Sequence, residues 1–425
     1  MRVLHLAHNH PDYHAGGTEI FAKALCDSQN AETGWRAWFA GAALPHYRSP
    51  NAGTPFVADD RGRGDAVVTA NGFERLILSQ RDARGVLHPF ADLVEGVQPD
   101  VVHIHHFLLL GMEILAVIRR AAPRAAIVVT LHDYYLICHN DGLMIRTESQ
   151  ALCDVQTPQR CAACFPEVGL TNFRLRETFI KHALQQVDAF AAPSAFLRHR
   201  FAAWGVAPER IRHIPNGYPR TGGEPAKPAP RPRGDDAPVV FGFFGHLNAA
   251  KGAPVALRAA RRLVDAGDTN FRLRLHGSDR YASEAVQAEI GEHIDALGGL
   301  VERDGPYARG EIAAGMAGVD WVLVPSIWWE NDPLVVDEAF LNGRPVICSG
   351  LGGLAEKVTH LENGLHVRPN DPRALAAAMA DALSGRIDAA ALVRGAPEVA
   401  SMSACAEAYR ELYDQAVAGR VDAAA

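Results

Sequence analysis

No apolar run in this sequence approaches the roughly 18 residues that a membrane-spanning helix requires. The opening residues, MRVLHLAHNHPDYH, lack the basic segment, apolar stretch and small-residue cleavage site of an export signal. The expected location is therefore cytoplasmic, with peripheral contact at the inner membrane face as its only membrane association. Positive charge is not in excess either: the formal net charge is -7, so a nucleic-acid backbone is not an expected partner. The glycine pattern G-x-G-x-x-G is missing from both HNHPDYHAGGTE and FGFFGH, which argues against a dinucleotide oxidoreductase. There is no internal repeat of about 20 to 50 residues. Cysteine is scarce and odd in number, seven in all, which favours reduced thiols over a secreted disulfide framework.

What is present reads as an α/β protein. At 425 residues the chain exceeds one hydrophobic core, so two domains of roughly 200 residues are expected. Strand-like runs at 3–7, 35–40, 101–105, 127–131, 189–192 and 211–215 alternate with helix-length stretches, the pattern of a mainly parallel sheet covered on both faces. Residues 219–238, PRTGGEPAKPAPRPRGDDAP, read as an exposed linker between an N-terminal domain (1–218) and a second one (239–400). The alternation restarts with 239–244, 271–276, 321–325 and 345–348. One helix is well marked: Asp371 caps it, Pro372 occupies its first turn, Leu375, Met379 and Leu383 form its apolar stripe, and Gly385 ends it. Residues 401–425 are expected to form a helix packing back on the N-terminal domain. Ligands of such sheets bind beyond the carboxyl ends of the strands, so the chemistry is sought there.

The most informative stretch is PSIWWENDPLVVDEAFLNGRPVICSGLGGLAE, residues 325–356. Glu330 and Glu338 are separated by seven residues, the first after a strand, the second inside the next helix. Carboxylates accept two hydroxyl hydrogen bonds at once and suit sugar rings. The amides of Leu334 and Val335 open that helix and can face phosphate oxygens. The alternative is a merely solvated Glu338. Lys251, in GHLNAAKG, is either an exposed lysine at a helix start or a phosphate ligand. Gly16 and Gly17 are either a tight turn or a place where backbone approaches a ligand. His132 reads as a satisfied core histidine or as a group at a strand's carboxyl end.

The Glu-x7-Glu element, followed by NGRPV and GGLAE, resembles the donor site of glycosyltransferase family 4, the retaining enzymes of the GT-B fold. Further blocks in family order are AGGTE (15–19), TLHD (130–133), APSAF (192–196), IPNGY (214–218), FFGHLNAAKG (243–252) and ENGLHVRPND (362–371). The resemblance implies two facing Rossmann-like domains with a cleft between them. It also implies a hexose-type transfer from a nucleotide-diphosphate sugar to a saccharide or lipid-linked saccharide acceptor, as in cell-surface polysaccharide synthesis. By the same carry-over Glu330 and Asn331 lie at the donor sugar, Glu338 binds the ribose, Lys251 binds the diphosphate, His132 sits beside the sugar, and the Gly16–Gly17 loop closes over the phosphates. Where family members commonly carry arginine this chain has His246, which shifts diphosphate neutralisation towards Lys251 and the amides of Leu334 and Val335. The implied mechanism is front-face departure of the nucleotide diphosphate, with no catalytic metal.

Two clusters point elsewhere. Cys138, Cys153, Cys161 and Cys164 end in C-A-A-C, and four thiolates at about 2.3 Å can hold a structural zinc. Packed free thiols or a labile disulfide are the alternatives. His103, His105 and His106 invite a metal-dependent hydrolase as the second functional class, since H-x-H on a strand puts two imidazoles on one face. A sugar-nucleotide-binding protein without turnover is the third. Oligomeric state and acceptor identity are not written in these residues.

Overall fold

The computed structural model describes residues 1–14, 16–47, 49, 51, 53–58, 65–220, 229–232, 234 and 237–424, with backbone alone for 421–424. The chain divides into two compact units, Met1–Pro219 with Ala400–Ala425, and Arg220–Val399.

The first unit is built on an eight-stranded sheet in the order Ile211–His213, Ala189–Ala192, Ala126–Thr130, Val101–Ile104, Arg2–Ala7, Arg36–Ala43, Ala66–Thr69, Phe56–Ala58. Every pairing in it is parallel except the last, between Phe56–Ala58 and Ala66–Thr69. The strands are near-continuous apolar runs because helices cover both faces. Helix Gly17–Asn30 and the C-terminal helix Met402–Ala424 pack together over the central strands, burying Phe21, Tyr409 and Tyr413.

The second unit has six parallel strands in the order Val301–Gly305, Phe271–His276, Val239–Phe244, Trp321–Val324, Val346–Ser349, Gly364–Val367. Numbered within the unit this is 3-2-1-4-5-6, the doubly wound Rossmann order, whose switch point lies between Val239–Phe244 and Trp321–Val324. Helix Pro372–Leu383 is capped by Asp371, which accepts from the Arg373 and Ala374 amides. Leu375 and Met379 are buried in the core, and each contributes about 1.5–3 kcal/mol by leaving water.

Six strands among the described residues escape the sequence pattern, two of them the two-residue strands Phe73–Glu74 and Ser79–Gln80, which pair antiparallel with each other. Val301–Gly305 is a polar edge, Gly364–Val367 is only four residues long, and Phe56–Ala58 and Ala66–Thr69 are separated by residues outside the described set. In its described part the proposed linker has Ala229, Pro230, Pro232 and Gly234 exposed, and it makes two contacts with the second unit. Ala229 lies against Gly343, where a Cβ would come within 2.4 Å of its amide, and Arg231 pairs with Asp320 at 3.1 Å. Residues 221–228, 233, 235 and 236 of that segment lie outside the described residues, as does Ala15 of the AGGTE block.

Candidate active site

In the second unit the switch point brings Lys251, from the loop after Val239–Phe244, to the loop after Trp321–Val324. Three donors converge on one oxygen of Glu330: Lys251 Nζ at 2.7 Å, Ser326 Oγ at 2.7 Å and Trp328 Nε1 at 2.8 Å, all on Oε1. Lys251 also lies over the Trp328 ring, 5.4 Å from its centroid. Glu330 is 3% exposed, so this triple anchoring holds a buried carboxylate in one rotamer and leaves Oε2 as the oxygen for a further donor.

The backbone around Glu330 is equally constrained. Gly353 N donates to Glu330 O at 2.8 Å, and a Cβ at Gly353 would lie 1.4 Å from the Asn331 carbonyl oxygen. This close approach explains the glycine pair of GGLAE. Lys357 bridges Asp332 and Asp337, the latter at 2.6 Å, tying the loop to helix Leu334–Leu341. Burial pushes Asp337 up to about 6, with Asp332 adding to the rise and Lys357 opposing it.

Helix Leu334–Leu341 opens after Pro333, so the amides of Leu334 and Val335 have no acceptor within the helix. Glu338 and Asn331 are buried, which removes the reading of Glu338 as a solvated helix residue. His246 is exposed, with the Tyr281 ring 5.8 Å away. Lys251, Glu330, Asn331, Leu334, Val335, Glu338 and His246 thus all belong to one unit, on loops and a helix start beyond strand ends.

Gly16, Gly17 and His132 belong to the first unit. Gly16 caps helix Gly17–Asn30, and Glu19 reaches back to its amide at 3.1 Å while also accepting from Asn9 at 3.1 Å and pairing with His8 at 3.1 Å. A Cβ at Gly17 would meet nothing within 4 Å, so packing does not require glycine there. His132 follows strand Ala126–Thr130; burial first, and His106 second, bring its pKa down to about 3 against the pull of Asp133, so the ring is neutral. Burial pushes Asp133 upward, but the His106 charge and hydrogen bond, with the Tyr135 amide, outweigh it and bring it down to about 2. Sequence reading missed Glu19, Ser326, Trp328 as a donor to Glu330, and the Asp332–Lys357–Asp337 bridge. Only Glu19 left a local signal, the capping-box spacing from Gly16.

The histidine cluster divides. His106 turns to Asp133 at 3.1 Å, while His103 and His105 join His5 in the core, so His103, His105 and His106 do not form one metal trio. Among the described residues, His5, His103 and His105 have candidate ligand atoms all within 4.8 Å of one another, but their ring nitrogens are engaged in hydrogen bonds with side chains. The thiols of Cys138, Cys153, Cys161 and Cys164 form no disulfide, and these residues line one pocket with His139 and Phe165. Burial pushes Cys138 up to about 11. These thiols are not gathered as closely as the histidines, whereas a tetrahedral zinc would hold its sulfurs about 3.8 Å apart. The donor chemistry suits zinc. Among the described residues no helix is long and apolar enough to cross a membrane. In helix Ala195–Trp204 the basic residues Arg198 and Arg200 are followed by Phe201, which is buried.

Comparison with known proteins gives this geometry a family. The family described as Glycosyltransferase Family 4 matches residues 15–221, and Glycosyl transferases group 1 matches residues 238–385. D-inositol 3-phosphate glycosyltransferase of Thermobispora bispora is 26% identical over 372 residues, 82% of this chain and 79% of that protein. Glycogen synthase of Halorhodospira halophila is 32% identical over 194 residues, 43% of this chain and only 39% of that protein's length. Among solved structures, sucrose-phosphate synthase from Thermosynechococcus elongatus superposes with TM-score 0.70 at 19% identity, covering 99% of this chain and all of that one. Anabaena HepE in complex with UDP and glucose gives 0.68 at 18% identity, with 98% and 100% covered. With both halves matched, and with two Rossmann-like sheets of the GT-B type, the chain belongs to the group 1, family 4 glycosyltransferases.

Proposed function

We propose that the protein is a retaining hexosyltransferase that moves a sugar from a nucleotide-diphosphate donor to a saccharide or lipid-linked saccharide acceptor, in the synthesis of cell-surface polysaccharide or glycoconjugate. The observation that carries this reading is the fixing of Glu330 by Lys251, Ser326 and Trp328 beyond the switch point of the second sheet. A carboxylate oxygen that already accepts three hydrogen bonds is a poor nucleophile and a well-oriented acceptor. Glu330 is thereby held with Oε2, the oxygen these donors leave open, directed to sugar hydroxyls. Lys251 retains N–H donors for the diphosphate, the amides of Leu334 and Val335 add the positive end of a helix, and Glu338 takes the ribose diol.

On this reading catalysis is positioning plus stabilisation of the leaving diphosphate, whose own oxygen accepts the acceptor's proton on the face it departs from. The family resemblance assigns His132 to the donor sugar and the Gly16–Gly17 loop to the phosphates. No step uses a metal. The UDP and UDP-glucose bound by HepE support a uridine diphosphate hexose as the first donor to try. The test is a thermal-shift screen of nucleotide sugars, in which a ligand at 100 times its Kd adds about 2.7 kcal/mol. It is followed by proton coupling constants of the new glycosidic bond. A retained anomeric configuration is expected, and an inverted product refutes the mechanism.

A further inference from the structure

The donor residues of the second unit sit on two pieces of backbone that must keep one spacing. Glu330 lies on the loop after strand Trp321–Val324, while Glu338 and the amides of Leu334 and Val335 belong to helix Leu334–Leu341. The join between them is Asn331-Asp332-Pro333. Its last residue cannot hold the helix start: Pro333 has no N–H, and as the capping residue it makes no side-chain hydrogen bond to the first turn. A Ser, Thr, Asn or Asp in its place would take an amide of that turn for itself. A helix start that keeps its amides for phosphate has to be fixed from outside the turn.

Helix Gly352–Lys357 supplies that fixing at two points. In its first turn the Gly353 amide donates to the Glu330 carbonyl at 2.8 Å, with the Gly353 Cα set against the Asn331 carbonyl. At its last residue Lys357 Nζ pairs with Asp332, just before Pro333, and with Asp337, in the first turn of helix Leu334–Leu341, at 2.6 Å. The Asp332 and Asp337 side chains are 7% and 5% exposed and that of Lys357 is 16% exposed, so water screens these pairs little. An ammonium has three N–H groups and can hold two carboxylates at once, which lets Lys357 span the join from both sides. Burial raises Asp337, Lys357 draws it back and Asp332 adds to the rise, so the two carboxylates are held together against their own repulsion. Buried ion pairs add little net stability over an apolar replacement, because desolvation offsets attraction. Stability alone therefore does not account for this triad.

We infer that Lys357 is a positioning residue of the donor site: through Asp332 and Asp337 it sets the spacing between the Glu330 carboxylate and the helix that presents the Leu334 and Val335 amides and Glu338. Lys357 acts through the two aspartates and is not itself a ligand of the sugar or the nucleotide. The inference rests on the transferase reading for what the site binds, while the anchoring of residues 330–338 stands on the ion pairs alone. The sugar and the diphosphate of one donor are joined covalently, so a loop that shifts against the helix grips one end of the donor at the expense of the other. Every group in this scheme belongs to the second unit.

The test is Lys357→Met in the full chain, which nearly keeps the length of the side chain and removes its charge. Hydrogen exchange read by mass spectrometry should rise in peptides spanning 326–341 and stay unchanged in those of strands Val239–Phe244 and Phe271–His276. Initial rates with the nucleotide sugar selected by the thermal-shift screen should show kcat/KM lowered by up to about 100-fold, the loss that a shift of about 1 Å can cause. The Kd of the corresponding free nucleoside diphosphate should change much less, because a ligand without the sugar can settle on the helix start alone. Unchanged exchange over 326–341, or a rise that extends to both strands, overturns the anchoring. Raised local exchange with kcat/KM within about twofold of the unsubstituted protein overturns the positioning role. If Lys357→Met does not fold, Asp337→Asn combined with Lys357→Met removes the surplus buried charge and carries the same measurements. Absence of transfer from any nucleotide sugar by the unsubstituted protein refutes the transferase reading instead, and hydrogen exchange still decides the anchoring.

Discussion

Glu330→Gln is the substitution that separates sugar binding from architecture at the second unit's switch point. The amide keeps the size of the carboxylate and can still accept at Oε1 from Ser326, Trp328 and Lys251, which lie at 2.7, 2.8 and 2.7 Å. It loses the charge, and at the place of Oε2 it puts an NH2 group, which donates and cannot accept. Hydrogen bonds to charged groups contribute about 1.5–3 kcal/mol against about 1 for neutral ones, so losing one such bond to a sugar hydroxyl lowers kcat/KM by about 10- to 150-fold. Stability suffers less. Lys251 is one-third exposed, so its ion pair is partly screened, and a net cost of about 1–2 kcal/mol lowers Tm by roughly 2–8 °C. The assay is initial rates over a range of nucleotide-sugar concentrations, alongside calorimetric titration of the free nucleoside diphosphate. Diphosphate affinity should stay within about twofold, because Glu330 is assigned to the sugar and not the nucleotide. A kcat/KM within about twofold of the unsubstituted protein, with Tm lowered as expected, would refute the reasoning and reduce Glu330 to a structural anchor.

Glu338→Ala should weaken binding of the same diphosphate by about 1.5–3 kcal/mol while circular dichroism shows an intact fold; unchanged affinity in calorimetry would take Glu338 out of the nucleotide site. His246→Arg should tighten diphosphate binding, more so above pH 7, since a guanidinium stays charged where an imidazole of reference pKa about 6.5 does not, and lost binding in the same titration would show that the imidazole's shape is needed. Asp337 has its folded-state pKa raised to about 6, so the stability it contributes is present below the unfolded carboxylate pKa of about 3.9 and is lost as pH rises through about 6. Melting curves should therefore show Asp337→Asn gaining Tm relative to the unsubstituted protein between about pH 4 and pH 6 and holding a constant difference above; a flat difference across that window contradicts the raised pKa. Elemental analysis of purified protein should find about one zinc per chain at Cys138, Cys153, Cys161 and Cys164, with transfer surviving mild chelation; absent metal and four freely titratable thiols would leave the cluster as packing.

The sequence by itself determined the architecture of each half and marked the segment around Glu330 and Glu338. Apolar runs of strand length alternating with helical stretches specify parallel sheets, because a parallel strand is buried on both faces. The cap and stripe of Pro372–Leu383 are likewise local, readable from Asp371 to Gly385. Edge strands such as Val301–Gly305 escaped because they bury too little to carry the pattern. What only the tertiary structure decided is which side chains meet. Lys251 reaches Glu330 across 79 residues because Val239–Phe244 and Trp321–Val324 are neighbours in the sheet. His5 reaches His105 across 100 residues because their strands pair in register, which turned an apparent metal motif into a buried hydrogen-bonded chain and sent His106 to Asp133 instead. Hydrogen bonds of this kind depend on strand order and register over long separations, whereas sequence periodicity reports only which face of a single element is covered.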